Sequence, residues 1–375
     1  QRWTTERIKC VNPHSEVRDT KIVAFLKQSP PRAPVYRVLT ESHRFIEATA
    51  DHPFLTRSGM VSLKNLKAGV QISIYPFEGV RYEAPSEEVL VTEDDVSNAY
   101  PGHSNGLQQV LRALRSRGLL PLSVDHPKLP YLVKVVGFVQ GDGNIQLTRA
   151  NADVTFYGAR GDLEDIRHDI LALEFTPSLV YSRERFHIIR DRYGTKRFAL
   201  TEHHIRVHSA ALAVLLKCLG ATVGNKAAQD WDAPAWLDRA PRWLKRLYLA
   251  AYFGAELTAP QTVTGHPYNF YGPVLSLNKR ERTLQSGWRF IEKIQAWLAE
   301  FGVESNMLAS RSENVTRDGE TSIRLRLQIS GRPENLIRLW STVGCEYNRR
   351  KQYLANVAVQ YLRLKIQVLE ERTRS

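Results

Sequence analysis

Apolar and polar positions change period several times along this chain, and each change marks a predicted element. Residues 10–75 read as short strands and turns. Val35-Tyr36-Arg37-Val38-Leu39-Thr40 alternates, Arg44-Phe45-Ile46-Glu47-Ala48 follows, and Gly59 and Gly69 punctuate the rest. Residues 76–106 are richer in Glu, Asp, Ser, Pro and Gly and read as a connector. A helix is predicted over 107–117, stopped by Gly118. From about residue 131 one plan occurs twice at low similarity. A helix containing small residues ends in an acid, candidate strands follow, and longer amphipathic helices come next. The first set has helices over 132–141, 163–173 and 210–219. The second has them over 243–255, 283–301 and 333–343, and a long helix over 349–371 closes the chain. Two matching sets predict an α+β fold with two pseudo-symmetric repeats in one chain. The expected domains are 1–80, rich in β-strand, 81–130, a connector with a helix, 131–240, the first repeat, and 241–375, the second.

The two acid-terminated helices carry the chemistry. The first reads Val135-Val136-Gly137-Phe138-Val139-Gln140-Gly141-Asp142-Gly143, and the second Leu249-Ala250-Ala251-Tyr252-Phe253-Gly254-Ala255-Glu256-Leu257. Without gaps, Gly137 aligns with Ala251, Gly141 with Ala255 and Asp142 with Glu256. Small residues four apart share a helix face, and such a face lets two helices approach closely. Packed on those faces, the helices bring both acids to the same end of the pair. Carboxylates that close raise each other's pKa, and a divalent cation relieves the repulsion. Oxygen ligands suit Mg²⁺, which commonly takes only one or two protein carboxylates.

Charge adds a partner. Fifty-two Lys and Arg against 39 Asp and Glu leave a formal net charge of +13, which favours a polyanion, most often nucleic acid. The charge is spread through segments that read as folded, so a shaped surface is expected and not a basic tail. On the strand over 321–330, Ile323, Leu325, Leu327 and Ile329 face one way and Arg324, Arg326 and Gln328 the other. In the first set His204, Arg206 and His208 are the outward candidates. Arg, Gln and His on a strand face are able to reach base edges in a major groove. Three widely spaced cysteines, Cys10, Cys218 and Cys345, give neither metal-ligand spacing nor a disulfide framework and fit a reducing cytoplasm. No apolar run reaches the roughly 18 residues of a membrane span, and residues 1–7 lack an apolar signal core, so neither membrane insertion nor secretion is expected.

Both acid-terminated helices resemble the LAGLIDADG motif of homing endonucleases, over about residues 119–371. Gln140 and Gly254 stand where that family often has Asp, Leu257 replaces its last Gly, and Glu256 replaces the commoner Asp. The segments Cys218-Leu219-Gly220-Ala221-Thr222-Val223-Gly224-Asn225-Lys226 and Val343-Gly344-Cys345-Glu346-Tyr347-Asn348-Arg349-Arg350-Lys351 resemble the family's lysine segments. The resemblance implies a monomer with pseudo-two-fold symmetry that binds double-stranded DNA and hydrolyses a long asymmetric site as a Mg²⁺-dependent endonuclease. Asp142 and Glu256 would hold the metals, and Lys226 and Lys351 would assist. A catalytically silent DNA-binding protein on the same scaffold is the alternative.

The N-terminal part resembles a partial all-β intein-like (Hint) domain. Thr49-Ala50-Asp51-His52 is similar to the block holding a Thr-x-x-His pair, and Cys10-Val11-Asn12-Pro13 to an intein's first block. The resemblance implies Cys10 as nucleophile, with His52, the partner of Thr49 in the Thr-x-x-His pair, activating the peptide bond before it. The chain closes on Glu371-Arg372-Thr373-Arg374-Ser375, without the Asn that releases a downstream flank. Splicing by this chain alone is therefore expected to fail, and an N-terminal splicing fragment is a third reading.

Overall fold

The computed structural model describes residues 7–11, 17–21, 34–40, 45–191, 194–315 and 319–374. The chain divides into two units, 1–76 and 77–375. In the first, the described strands form three antiparallel hairpins. β1 (Arg7–Val11) pairs with β2 (Val17–Lys21), β3 (Val35–Leu39) with β4 (Phe45–Thr49), and β5 (Pro53–Thr56) with β6 (Gly59–Ser62). The last hairpin turns at Gly59, whose φ of +105° suits a residue without Cβ. Thr56 Oγ1 closes that turn by donating to the Gly59 carbonyl at 2.8 Å. Ala48 and Phe54 are buried here, whereas Val35, Tyr36, Leu39 and Met60 are exposed.

The second unit opens with β7 (Val89–Val91), α1 (Glu93–Ala99), α2 (Ser104–Ser116) and β8 (Leu122–Ser123). The stretch read as a connector thus contains a helix. Its cause is a capping box: the Thr92 hydroxyl accepts from Asp95 N–H, and the Asp95 carboxylate accepts from Thr92 N–H at 2.8 Å. Glu93, Asp94 and Asp95 suit the positive end of the helix. In α2 the helix ends two residues before Gly118, whose φ is +65°.

α3 (Leu129–Gln140) starts three residues earlier than its apolar pattern indicates, because Pro130 sits in the first turn, where a missing N–H costs nothing. Nearly all of α3 is buried. It leads into β9 (Gly143–Leu147), β10 (Ala152–Tyr157), α4 (Arg160–Ala172), β11 (Tyr181–Asp191), β12 (Gly194–Val207) and α5 (Ala210–Cys218). The four strands form one antiparallel sheet in the order β11-β12-β10-β9, with Val154 registered between Ile145 and Val207, all three buried. β12 stops at Val207, so His208 lies just past the strand on which it was placed.

α6 (Arg242–Glu256) follows, then β13 (Thr262–Val263), β14 (His266–Phe270), β15 (Val274–Arg280), α7 (Leu284–Glu300), β16 (Ser305–Val315), β17 (Thr321–Ile329), α8 (Pro333–Arg338) and α9 (Arg349–Arg374). The strands β15-β17-β16 form a three-stranded antiparallel sheet. In β17, Leu325, Leu327 and Ile329 are fully buried. The helix expected over 333–343 is α8 followed by a π-helical turn over Leu339–Val343, ended at Gly344 with φ +66°. Among the described residues no helix is long and apolar enough to cross a membrane.

α3 and α6 pack backbone against backbone. A Cβ on Gly137 would lie 2.5 Å from the Tyr248 carbonyl oxygen, and one on Gly141 2.5 Å from the Ala255 Cβ. On the far side of α6, a Cβ on Gly254 would lie 1.9 Å from the carbonyl oxygen of Glu346. Around this seam Tyr248 stands edge-on to Trp297 and Tyr252 edge-on to Phe290. Because Gly254 meets backbone and not a flexible side chain, Gly254→Ala is expected to destabilise the protein by roughly 2–4 kcal/mol in urea unfolding. An unchanged midpoint would contradict this packing.

Candidate functional site

Asp142 lies two residues past the end of α3, after Gly141, and Glu256 is the last residue of α6, so the helix seam delivers both carboxylates to one end. A Cβ on Gly141 would sit 3.1 Å from Glu256 Cγ and 3.5 Å from its Oε1, which places the Glu256 carboxylate beside the peptide that leads to Asp142. Asp142 is exposed and Glu256 half-buried. Burial, and then the charge of Asp142, push the Glu256 carboxyl up to about 7. Asp142 reaches solvent, yet the protein around it still desolvates its carboxyl and raises it, opposed by the charges of Lys226 and Lys351.

The structure brings both lysines to the same place. Lys226 Nζ donates to the carbonyls of Val139 at 3.0 Å, Gln140 at 3.1 Å, Gly141, and Gly143 at 3.0 Å. Lys351 Nζ donates to those of Phe253 at 3.2 Å, Gly254 at 2.8 Å and Ala255 at 3.0 Å. Each ammonium therefore caps the carbonyl end of one helix, where orphan acceptors and the helix dipole favour a cation. Burial lowers Lys226 to about 8, even though Glu256 and Asp142 oppose the shift. Lys351 is lowered by the same dominant cause. The lysine protons point at backbone, so their effect on the acids runs through charge.

Two carboxylates and two ammoniums at one helix end form a compact ionic cluster. Its donors for a cation are oxygens. Among the described residues no group of three or more His, Cys, Asp or Glu could hold a metal. A pair of carboxylates in which the charge of Asp142 helps raise Glu256, with Asp142 open to solvent, fits Mg²⁺, which keeps several waters and needs few protein ligands. Asp142 and Glu256 are the residues that would hold it.

The residues standing where the LAGLIDADG family often has Asp have packing roles. Gln140 Nε2 donates to Thr222 Oγ1 at 2.9 Å, tying the end of α3 to the lysine segment. Gly254 admits the Glu346 carbonyl, and the Glu346 N–H donates to Ala250 O at 2.9 Å. Residues that the pattern did not single out hold the Lys351 segment. Asp162 accepts from Arg349 N–H at 2.8 Å, and Asp169 accepts from the Tyr347 hydroxyl and pairs with Lys134, both at 2.5 Å.

The outward strand residues lie elsewhere in the second unit. His204 stacks loosely with Tyr157 and Tyr181, and burial holds it below the ordinary imidazole range. Arg206 donates to Thr155 Oγ1 at 3.3 Å, and His208 is exposed. Arg324 pairs with Glu313 at 3.0 Å, Arg326 reaches Ala309 O at 3.4 Å, and Gln328 is exposed. The Nε atoms of Arg324 and Arg326 are enclosed without a hydrogen-bond partner. In the first unit Cys10 lies on β1, with its side chain outside the described residues, as is the 12–16 segment of its block. Thr49 ends β4, its carbonyl accepts from His52 N–H at 3.0 Å, and the exposed His52 ring stands edge-on to Phe54.

No family model matches the chain. It is 34% identical over 366 residues to a protein of Methanocaldococcus jannaschii named tRNA-splicing ligase RtcB, covering 96% of this chain and 36% of that one. Further relatives of the same name match at 30–32% identity. A protein of M. jannaschii named DNA-directed RNA polymerase subunit Rpo1N is 30% identical over 340 residues, which are 90% of this chain and 25% of that one. The chain thus spans between a quarter and two fifths of the length of these relatives. A solved structure of the homing endonuclease I-WcaI bound to its DNA recognition sequence covers 60% of this chain at 12% identity, with a TM-score of 0.38, too low to support an inference. These names correct the sequence reading. At 30–34% identity over nearly the whole chain, the name carried is that of an RNA ligase. The identification as a LAGLIDADG homing endonuclease, the hydrolytic DNA endonuclease it implied, and the alternatives of a silent DNA-binding protein and an intein fragment are set aside.

The carboxyl of Glu256 gives a pH test. Its pKa is raised from 4.5 to about 7, so the folded protein holds that proton more tightly than the unfolded chain. Ionising it costs stability progressively between about pH 4.5 and 7, and the cost persists above. In metal-free protein, Glu256→Gln is expected to stabilise by roughly 2 kcal/mol at pH 8 and hardly at all at pH 4. Equal effects at both pH values in denaturant titrations would contradict the assignment.

Proposed function

We propose that this chain is a nucleic-acid-binding segment carried within a longer protein, and that Asp142 and Glu256 hold Mg²⁺ against a phosphodiester backbone. The observation that carries this reading is the convergence of Asp142, Glu256, Lys226 and Lys351 at one end of the α3–α6 seam. Mg²⁺ bound there would polarise a phosphoryl oxygen, which makes metal-assisted phosphoryl transfer the reaction class. Lys226 and Lys351 hold the helix ends and moderate the charge of the acids. On this reading the four-stranded and three-stranded sheets, each with its helices, are two related repeats that flank the site.

The relatives bear the names of an RNA ligase and of an RNA polymerase subunit, yet each aligns over nearly all of this chain and a minor part of itself. The shared stretch therefore behaves as a module within proteins of different names. RNA joining, named for the tRNA-splicing ligases, is proposed for a longer protein of that kind to which this segment would belong. Double-stranded DNA is the partner proposed for the segment itself. Side chains on a strand face are able to reach base edges in the wide major groove of B-form DNA, whereas the major groove of A-form RNA is too narrow for them. Arg326, Arg324 and Gln328 on β17 supply donors for it, and the net charge of +13 favours it.

Replacing Arg324 and Arg326 together by Ala is expected to weaken binding of a labelled DNA duplex about tenfold in fluorescence anisotropy and to flatten its salt dependence. A duplex of RNA of the same sequence is expected to bind less tightly than the DNA. Equal affinity of the double variant and the unaltered protein, or preference for the RNA duplex, would count against the proposed partner.

A further inference from the structure

Alternation along β15 puts Leu275 and Lys279 on its inward face, with the half-buried Leu277 between them. A lysine therefore occupies a position that the pattern assigns to an apolar side chain, and it is fully buried. Its stem fits because α7 has a glycine opposite: a Cβ on Gly287 would lie 2.8 Å from Lys279 Cγ. Burying an ammonium is costly unless its protons find acceptors. They do. Lys279 Nζ donates to Gln229 O at 2.6 Å and Lys226 O at 3.2 Å, and it lies 4.7 Å from the centroid of the Trp231 ring.

Those acceptors belong to the short 3-10 turn Lys226–Ala228 and the residue after it. The same turn is gripped twice more. Trp231 Nε1 donates to Lys226 O at 2.8 Å, and Thr283 Oγ1 to Ala227 O at 2.9 Å. The peptide that carries the Lys226 side chain is thus clamped at its carbonyl by an indole and a buried ammonium, more than 50 residues away in the chain for the latter. The Lys351 segment is held comparably from a distance, by Asp162 and Asp169 of α4.

We infer that Lys279 is a positioning residue for Lys226: by fixing the Lys226 carbonyl and its turn, it aims the Lys226 ammonium at the end of α3 beside Asp142. This rests on the reading of Asp142 and Glu256 as a cation site, with Lys226 moderating their charge.

The test reads Lys226 directly. In folded protein, reductive methylation followed by peptide mass spectrometry is expected to label Lys226 about tenfold faster in Lys279→Met than in the unaltered chain, the loss expected for a charge-assisted hydrogen bond. Lys279→Gln, which keeps amide donors for the two carbonyls, is expected to restore most of the protection. If Lys279→Met does not fold, Thr283→Val removes another grip on the same turn and is expected to speed labelling in the same way. Mn²⁺ affinity adds the functional arm. Lys226→Met and Lys279→Met are expected to move the Mn²⁺ dissociation constant in the same direction, and the double variant to match Lys226→Met alone within about twofold. Unchanged labelling in folded Lys279→Met and Thr283→Val, or additive effects on Mn²⁺ affinity, would overturn the inference. Mn²⁺ affinity indifferent to Lys226→Met would instead overturn the role given to Lys226 at the cation site, while labelling still decides whether Lys279 holds it.

Discussion

The close approach of α3 and α6 is the constraint on which the rest of the second unit depends. Two buried helices meet at a distance that Gly137 and Gly141 permit and larger residues would forbid. Since both helices run to the same end of that seam, the residues that close them, Asp142 and Glu256, are forced into one another's field. Neither helix alone makes those acids neighbours; they meet only when the two small-residue faces pack together. Burial and mutual repulsion then leave Glu256 with its carboxyl pushed up to about 7. A divalent cation at that end would relieve the repulsion, which is the physical basis of the proposed cation site.

The lysines solve a second problem created by the same geometry. A buried helix ends in carbonyls without partners, and two such ends lie side by side here. Lys226 and Lys351 each satisfy three or more of them with one ammonium. The positive charge this requires is what the acids need nearby. One side chain thus serves helix termination and site electrostatics together, and Lys279, Trp231 and Thr283 fix the turn from which Lys226 extends.

The helix pair, its small residues and the acids were legible in the sequence because they depend on local spacing: residues four apart on a helix share a face whatever the surroundings. The alternation of β17 was legible for the same reason. α1 was missed because its seven residues have loop-like composition, and only the pairing of Thr92 with Asp95 marks its start. Lys279 was missed because a lysine in a strand reads as solvated, and its acceptors lie about 50 residues away. Asp162 and Asp169 escaped likewise, being acids on an amphipathic helix whose partners follow some 180 residues later. Tertiary polar contacts leave no period in the sequence. The family identification went further than local pattern could carry it, and the names of the longer relatives correct it.

Those relatives also frame what the segment is. This chain aligns over 96% and 90% of its length with proteins named tRNA-splicing ligase RtcB and DNA-directed RNA polymerase subunit Rpo1N, and makes up 36% and 25% of them. The most direct test of the proposed cation site is anomalous diffraction from crystals of the protein grown with Mn²⁺. A peak is expected within coordination distance of both Asp142 and Glu256, absent in Glu256→Gln. Mn²⁺ bound elsewhere, or a peak unaffected by that substitution, would contradict the proposed site.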